Sequence, residues 1–144
     1  MNSKMVGNLT EINCLKAFTE LGYGVSIPFG DCLRYDLVVD IKNKLYKIQC
    51  KTANINHIKD GYITFRCDNT TTKQGTVVHN TYTKDEIDYF ATYYNNKCYL
   101  IPVEECSREK TLRFTPPKSG HTKGISFAAD YELERMVEKL TNIV

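Results

Sequence analysis

Tyr35-Asp36-Leu37-Val38-Val39-Asp40-Ile41-Lys42-Asn43-Lys44-Leu45-Tyr46-Lys47-Ile48-Gln49-Cys50-Lys51-Thr52 is the stretch around which the rest of the chain organises. It reads as two strands, 35–41 and 44–52, joined by a tight turn at Lys42-Asn43, which predicts a hairpin. Positions 36 and 49 are nearly equidistant from that turn, so pairing brings Asp36 beside Gln49. Period-two alternation puts Gln49 and Lys51 on one side of the sheet and Cys50 on the other.

Outward from the hairpin, residues 8–22 read as a helix. Asn8 and Glu11 form a capping-box-like start, and Ile12, Leu15, Phe18 and Leu21 recur at helical spacing. A short strand is expected over 25–29, followed by a loop from Gly30 to Arg34, and a further strand over 62–67. The polar, Thr- and Asn-rich stretch 68–82 reads as a long loop or ragged hairpin. Thr83 and Glu86 form a second capping box that predicts a helix to about Tyr94, with Ile87, Phe90 and Tyr94 on one face. A strand over 97–103 follows, placed at an edge or strand end by Pro102. A short strand over 111–114 and a closing helix over 128–141 complete the order. The expected fold class is α/β: one domain over residues 1–144 with a mixed central sheet flanked by helices.

The 144 residues are 42% hydrophobic and 25% charged, which excludes disorder and collagen-like repeats. No apolar run approaches the ~20 residues of a membrane span, and Met1 to Gly7 contains no apolar signal-peptide core. A soluble, cytoplasmic protein with no membrane partner is expected. The six cysteines lack C-x-x-C spacing, and the three histidines lack the spacing of a zinc site, so the thiols read as small buried hydrophobes. The net charge of +2 hides a segregation. Lys42, Lys44, Lys47 and Lys51 fall in one short stretch without an acid. Arg108, Lys110, Arg113, Lys118 and Lys123 face only Glu109 in another. Such strips are either solvated loops or surfaces that neutralise phosphates by counterion release.

A helix carrying Glu11 and two adjacent strands carrying Asp36 and Gln49-Cys50-Lys51 would deliver two carboxylates, an amide oxygen and an ammonium to one place. That set suits metal-assisted phosphodiester hydrolysis, since Mg²⁺ takes hard oxygen ligands and is held by only one or two carboxylates. Asp36 would be the primary ligand, Glu11 a direct or water-mediated one, and the Gln49 side-chain oxygen and Cys50 carbonyl would complete the shell. Lys51 would orient the nucleophile and offset charge on the phosphate. Singly, each residue also has a plain structural reading: Glu11 as a capping-box residue, Asp36 as a strand-start carboxylate, Gln49 and Lys51 as the wet face of an edge strand.

Together these residues resemble the PD-(D/E)XK nuclease superfamily, whose pattern is a helical Glu, an Asp opening a hairpin strand and (D/E)-x-K on the next. The group I intron-associated branch is similar further along the chain. The similar segments are Gly7-Asn8-Leu9-Thr10-Glu11, Tyr35 to Asp40, Ile48 to Ala53, Tyr82 to Phe90, Tyr99 to Glu105 and Ala128 to Glu132. Gln49 stands where the superfamily usually carries Asp or Glu, and the intron-associated branch resembles this chain in accepting Gln there. The resemblance implies a restriction-endonuclease-like core and a Mg²⁺-dependent homing endonuclease, with Mn²⁺ able to substitute. It also implies double-strand cleavage of a long double-stranded DNA site by a homo-oligomer, a dimer or dimer of dimers. One site cuts one strand, which points to a symmetric partner subunit. The closing helix, with Tyr131, Met136, Val137 and Leu140, is a candidate interface.

DNA contacts are expected from Lys42 and Lys44, placed near the active face, and from Lys73 and Gln74 in the 68–82 stretch, whose polar groups can read base edges. Arg108, Lys110, Arg113, Lys118 and Lys123 would hold the backbone. Two alternatives share the core: a Holliday-junction resolvase, and a DNA-binding relative without catalysis.

Overall fold

The structure, a computed structural model, describes residues 1–142. The hairpin forms in the expected register, with Leu37↔Ile48 through Ile41↔Lys44 joining β2 (Leu37–Ile41) to β3 (Lys44–Cys50). Lys42 and Asn43 both take positive φ, 51° and 67°, the type I′ geometry whose twist matches the flanking strands. Beyond Ile48 the partner changes. Gln49 and Cys50 pair in parallel with Phe90 and Ala91 of β7 (Tyr89–Tyr94), which in turn pairs antiparallel with β8 (Lys97–Pro102). With β1 (Gly24–Ser26) on the other edge, the sheet order is β1-β2-β3-β7-β8, a mixed sheet as expected. Pro102 ends the edge strand β8, where a missing N–H leaves no ladder bond unmade.

Both faces of this sheet are covered. Cys14 and Phe18 of α1 (Ser3–Glu20) and Leu133, Met136 and Val137 of α2 (Leu133–Thr141) pack on one face, against Leu37, Val39, Ile48 and Ala91. The other face meets β4 (Tyr62–Arg66) and β9 (Glu109–Arg113), an antiparallel pair that buries Ile63, Phe65 and Leu112 against Phe90, Tyr99 and Ile101. β5 (Asp68–Lys73) and β6 (Thr76–Thr81) form a third, separate hairpin, turning at Gln74-Gly75 with both residues at positive φ. The 68–82 stretch is therefore a regular ribbon. Among the described residues no helix is long and apolar enough to cross a membrane. All six cysteines are free, with Cys14, Cys67 and Cys98 buried and Cys32 exposed.

Four expectations are corrected. The helix predicted from Thr83 to Tyr94 is one turn followed by β7. The capping contacts do form, since Thr83 N–H donates to Glu86 Oε1 at 3.0 Å, but the backbone leaves the helix after Ile87. Asp88 then exchanges bonds with Lys47, its carboxylate accepting the Lys47 N–H at 2.8 Å, and Tyr89 to Tyr94 continue as a strand buried from both sides. An aromatic and β-branched run suits that environment, and its apolar residues fall at helical spacing only by coincidence.

The first helix starts at Ser3, capped by Asn2, whose side chain accepts the Met5 N–H at 3.0 Å. Asn8 therefore caps nothing. The inward face is Thr10, Cys14 and Phe18, while Ile12 is 60% exposed. The helix is apolar on two sides, so periodicity alone could not tell which faces the sheet. Finally, Met136 and Val137 lie in the core, so the apolar stripe of the closing helix is already covered by its own sheet.

Candidate active site

The site lies where β3 leaves β2 for β7. Asp36 precedes β2; its N–H donates to the Ile48 carbonyl at 2.8 Å, and its Oδ2 accepts the Cys50 N–H at 2.9 Å. A carboxylate thus replaces the next ladder bond, which holds Asp36 against Gln49 as the register requires. The Lys51 N–H is anchored by the Ala91 carbonyl at 2.9 Å. On the helix side, Thr10 Oγ1 meets Thr52 Oγ1 at 3.3 Å and pins α1 beside the end of β3. Glu11, the next residue, is mid-helix and half-buried, so its reading as a capping residue falls away.

Burial pushes the Glu11 carboxyl above the usual range, and the nearby Asp36 charge pushes it further. Asp36 is also raised by burial, against the opposing pull of the Cys50 N–H and the Lys51 charge. Two mutually repelling carboxylates, neither within 4.0 Å of a described Lys, Arg or His nitrogen, create a demand for positive charge. No group of three His, Cys, Asp or Glu assembles among the described residues. The donors here are two carboxylates with amide and carbonyl oxygens, which fit a hard divalent cation better than zinc.

Gln49 turns its amide nitrogen to this cluster. It donates to Asp36 Oδ2 at 3.2 Å and to the Arg34 carbonyl at 2.6 Å; the reverse assignment would set its oxygen against two acceptors. The ligand role expected for the Gln49 oxygen requires the amide to turn over. Lys51 is half-buried, and burial lowers its pKa despite the charges of Asp36, Cys67 and Asp68. Its Nζ donates to Asn69 Oδ1 at 3.1 Å and to the Asp68 carbonyl at 3.3 Å, both on β5.

The four expected chemical residues, Glu11, Asp36, Gln49 and Lys51, therefore converge with Cys50. The basic residues do not share one surface. Lys42 and Lys44 lie at the opposite end of the β2–β3 hairpin from Asp36; five residues at roughly 3.4 Å separate them, about 17 Å, which corrects their placement near the active face. Lys110 is only 14% exposed, beside Glu105 and 5.6 Å from the Tyr131 ring centroid. Arg113 donates to the carbonyls of Thr115 and Asp60, both at 2.9 Å, and closes a loop. Arg108, Lys118 and Lys123 are exposed, as are Lys73 and Gln74 at the tip of the β5–β6 ribbon.

Sequence reading missed Arg34 and Tyr82. The Arg34 guanidinium pairs with Glu86 at 2.8 Å and lies 3.7 Å over the Tyr82 ring. Arg34 meets these partners from more than 40 positions away, and Tyr82 meets Lys51 and Asn69 on other elements, so no local pattern reveals either role. A surface cavity of about 710 Å³, lined by Tyr94, Tyr99, Arg113 and Phe114, includes none of the site residues.

The sequence matches the profile of the PD-(D/E)XK endonuclease family over residues 1–134. No curated protein matches the chain in sequence. Among solved structures, a bacterial homing endonuclease, I-Ssp6803I, superposes with a TM-score of 0.80 at 23% identity, covering 98% of this chain and 97% of that one. That likeness concerns the fold, and the profile match extends across nearly all the elements that build the site. The chain belongs to the PD-(D/E)XK endonuclease family.

Proposed function

We propose that the protein is a Mg²⁺-dependent, sequence-specific endonuclease of the intron-homing type. In this reading it works as one domain per subunit inside the cell and cuts both strands of a long DNA site as a dimer or dimer of dimers. The observation that carries the reading is the meeting of Glu11 and Asp36 with Lys51 at the end of β3, two unneutralised carboxylates beside a half-buried ammonium.

In this mechanism Glu11 and the free Oδ1 of Asp36 would hold a divalent ion, Mg²⁺ or Mn²⁺, with the Cys50 carbonyl as a neutral donor. Such an ion, when bound, would supply Lewis-acid polarisation of the phosphoryl oxygen and a more acidic water near neutral pH. The Cys50 N–H and the Gln49 amide steady Asp36 Oδ2, so the carboxylate presents one fixed oxygen. Lys51 orients the attacking water and opposes the negative charge that grows on the phosphate. The β5–β6 ribbon, with Lys73 and Gln74 at its tip, has the shape that enters a major groove, and Lys42, Lys44, Arg108, Lys118 and Lys123 hold phosphates.

The test compares wild type, Asp36→Ala and Lys51→Ala on long random-sequence duplexes and on a four-way junction, with and without Mg²⁺. Metal-dependent double-strand cuts at one recoverable sequence, lost in both variants with DNA binding retained, are expected. Cutting confined to the junction would make the protein a resolvase. Binding without any cutting would make it a non-catalytic relative, and full activity in either variant would overturn the site assignment.

A further inference from the structure

Lys51 is held from two directions. Its backbone belongs to the sheet, but its ammonium is gripped by the base of the β5–β6 ribbon, where Asn69 Oδ1 accepts at 3.1 Å and the Asp68 carbonyl at 3.3 Å. Asn69 is itself fixed, because its Nδ2 donates to the Tyr82 hydroxyl at 2.9 Å. The Tyr82 ring is shared between Lys51 Nζ, 5.2 Å from its centroid, and the Arg34 guanidinium.

The ribbon base is a rigid anchor. The Asp68 side chain is 0% exposed, and its carboxylate accepts Arg66 Nη2 at 2.8 Å and faces His79 Nδ1 at 2.7 Å, tying β5 to β6. From Thr70 to Val78 the ribbon stands exposed. Asn69 pairs with Asn80 and is the first residue past the anchor, so it sits between the exposed arm and the sheet. The polar composition of 68–82 predicts base or phosphate contacts for this stretch, but the Asn69 side chain is engaged by Lys51 and Tyr82.

We propose that Asn69 is the positioning residue for Lys51, and that through it the β5–β6 ribbon, lying on duplex DNA, sets the ammonium against the scissile phosphate. The proposal rests on the nuclease reading above. A lysine head on a four-carbon stem has three rotatable donors and no preferred site of its own. One oriented acceptor therefore decides where it points, and a charge-assisted bond is short and strong enough to hold it there. The titratable and charged groups facing Lys51 are Asp36, Cys67, Asp68, Arg34 and Tyr82. Of the side chains that bond its Nζ, only Asn69 does so directly among the described residues.

The experiment uses the full chain as wild type, Asn69→Ala, Asn69→Asp and Lys51→Ala. Single-turnover cleavage of the random-sequence duplex pool is measured with Mg²⁺, DNA affinity is measured in parallel, and hydrogen exchange of the Lys51 ammonium protons is followed by NMR on the metal-free protein. Removing a bond to a charged group should slow cleavage by Asn69→Ala about 10–100-fold with affinity within about 3-fold, and should speed exchange of the Lys51 ammonium protons. Asn69→Asp restores the acceptor, and should recover most of the rate and the slow exchange. Unchanged Lys51 proton exchange in Asn69→Ala overturns the proposal whether or not the protein cuts DNA. So does a loss of affinity that accounts for the whole loss of rate, which would make Asn69 a DNA contact. Lys51→Ala cutting like wild type would instead remove the nuclease reading itself.

Discussion

Replacing Gln49 by glutamate restores the acidic residue usual in the family and should make the metal-free protein less stable. In the wild type, the Gln49 amide nitrogen lies 3.2 Å from Asp36 Oδ2 and 2.6 Å from the Arg34 carbonyl. Gln49→Glu puts an anionic oxygen at that place. With the Asp36 oxygen 3.2 Å away, the repulsion is about 5 kcal/mol at an effective dielectric constant of 20. Two hydrogen bonds are lost as well. The half-buried side chain relaxes and the pair takes up a proton, leaving a net loss of about 2–3 kcal/mol near pH 8. For a chain of this size that is roughly 8 °C in Tm.

The loss has a definite pH sign. A carboxylate pair whose folded pKa is raised binds more protons folded than unfolded, so its stability contribution falls as pH rises through that window. The gap between variant and wild type should therefore be small at pH 5 and widest at pH 8. Divalent metal should close it, since saturation at 100 times Kd stabilises by about 2.7 kcal/mol and the added charge tightens binding. Thermal unfolding by circular dichroism at both pH values, with Mg²⁺ titrated, measures all three effects. Equal metal-free midpoints and equal Mg²⁺-induced shifts would show that Gln49 does not face Asp36.

The same linkage applies to the native groups. Glu11 and Asp36, both raised by burial, make the metal-free wild type lose stability as pH rises just above the ordinary carboxylate range, and Asp36→Asn should flatten that slope; midpoints measured from pH 4 to 7 check this, and an unchanged slope would refute it. Just before β4, Gly61 holds φ +89°, and a Cβ there would clash with Thr115 Oγ1. Gly61→Ala combines left-handed strain with that clash and should cost about 2–3 kcal/mol in urea unfolding; a wild-type midpoint would remove the argument.

How much of this was legible depended on range along the chain. The β2–β3 hairpin could be read directly because its turn chemistry, its period-two alternation and its pairing all lie within one short stretch. Asp36 meets Gln49 as a consequence of that register. The helix expected from Thr83 failed for the converse reason. Its capping box is real, but the signal covers one turn, and the pairing with Lys47 that draws the chain into β7 is more than 40 residues away. Lys110 and Arg113 show the same limit, since charge counted along a sequence cannot reveal a Tyr131 ring or an Asp60 carbonyl waiting across the fold.

The chain alone determined the chemical inventory and one local geometry: a helical carboxylate, and a hairpin that sets an acid opposite Gln49-Cys50-Lys51. Tertiary structure decided which face of α1 turns inward, so that Glu11 joins Asp36 while Ile12 stays in water. It also decided that Gln49 donates to Asp36 and that Lys51 is aimed by Asn69 from another hairpin. Local hydrogen bonding and side-chain alternation are properties of neighbouring residues. The direction of a long polar side chain is chosen by whichever distant acceptor packing brings within reach.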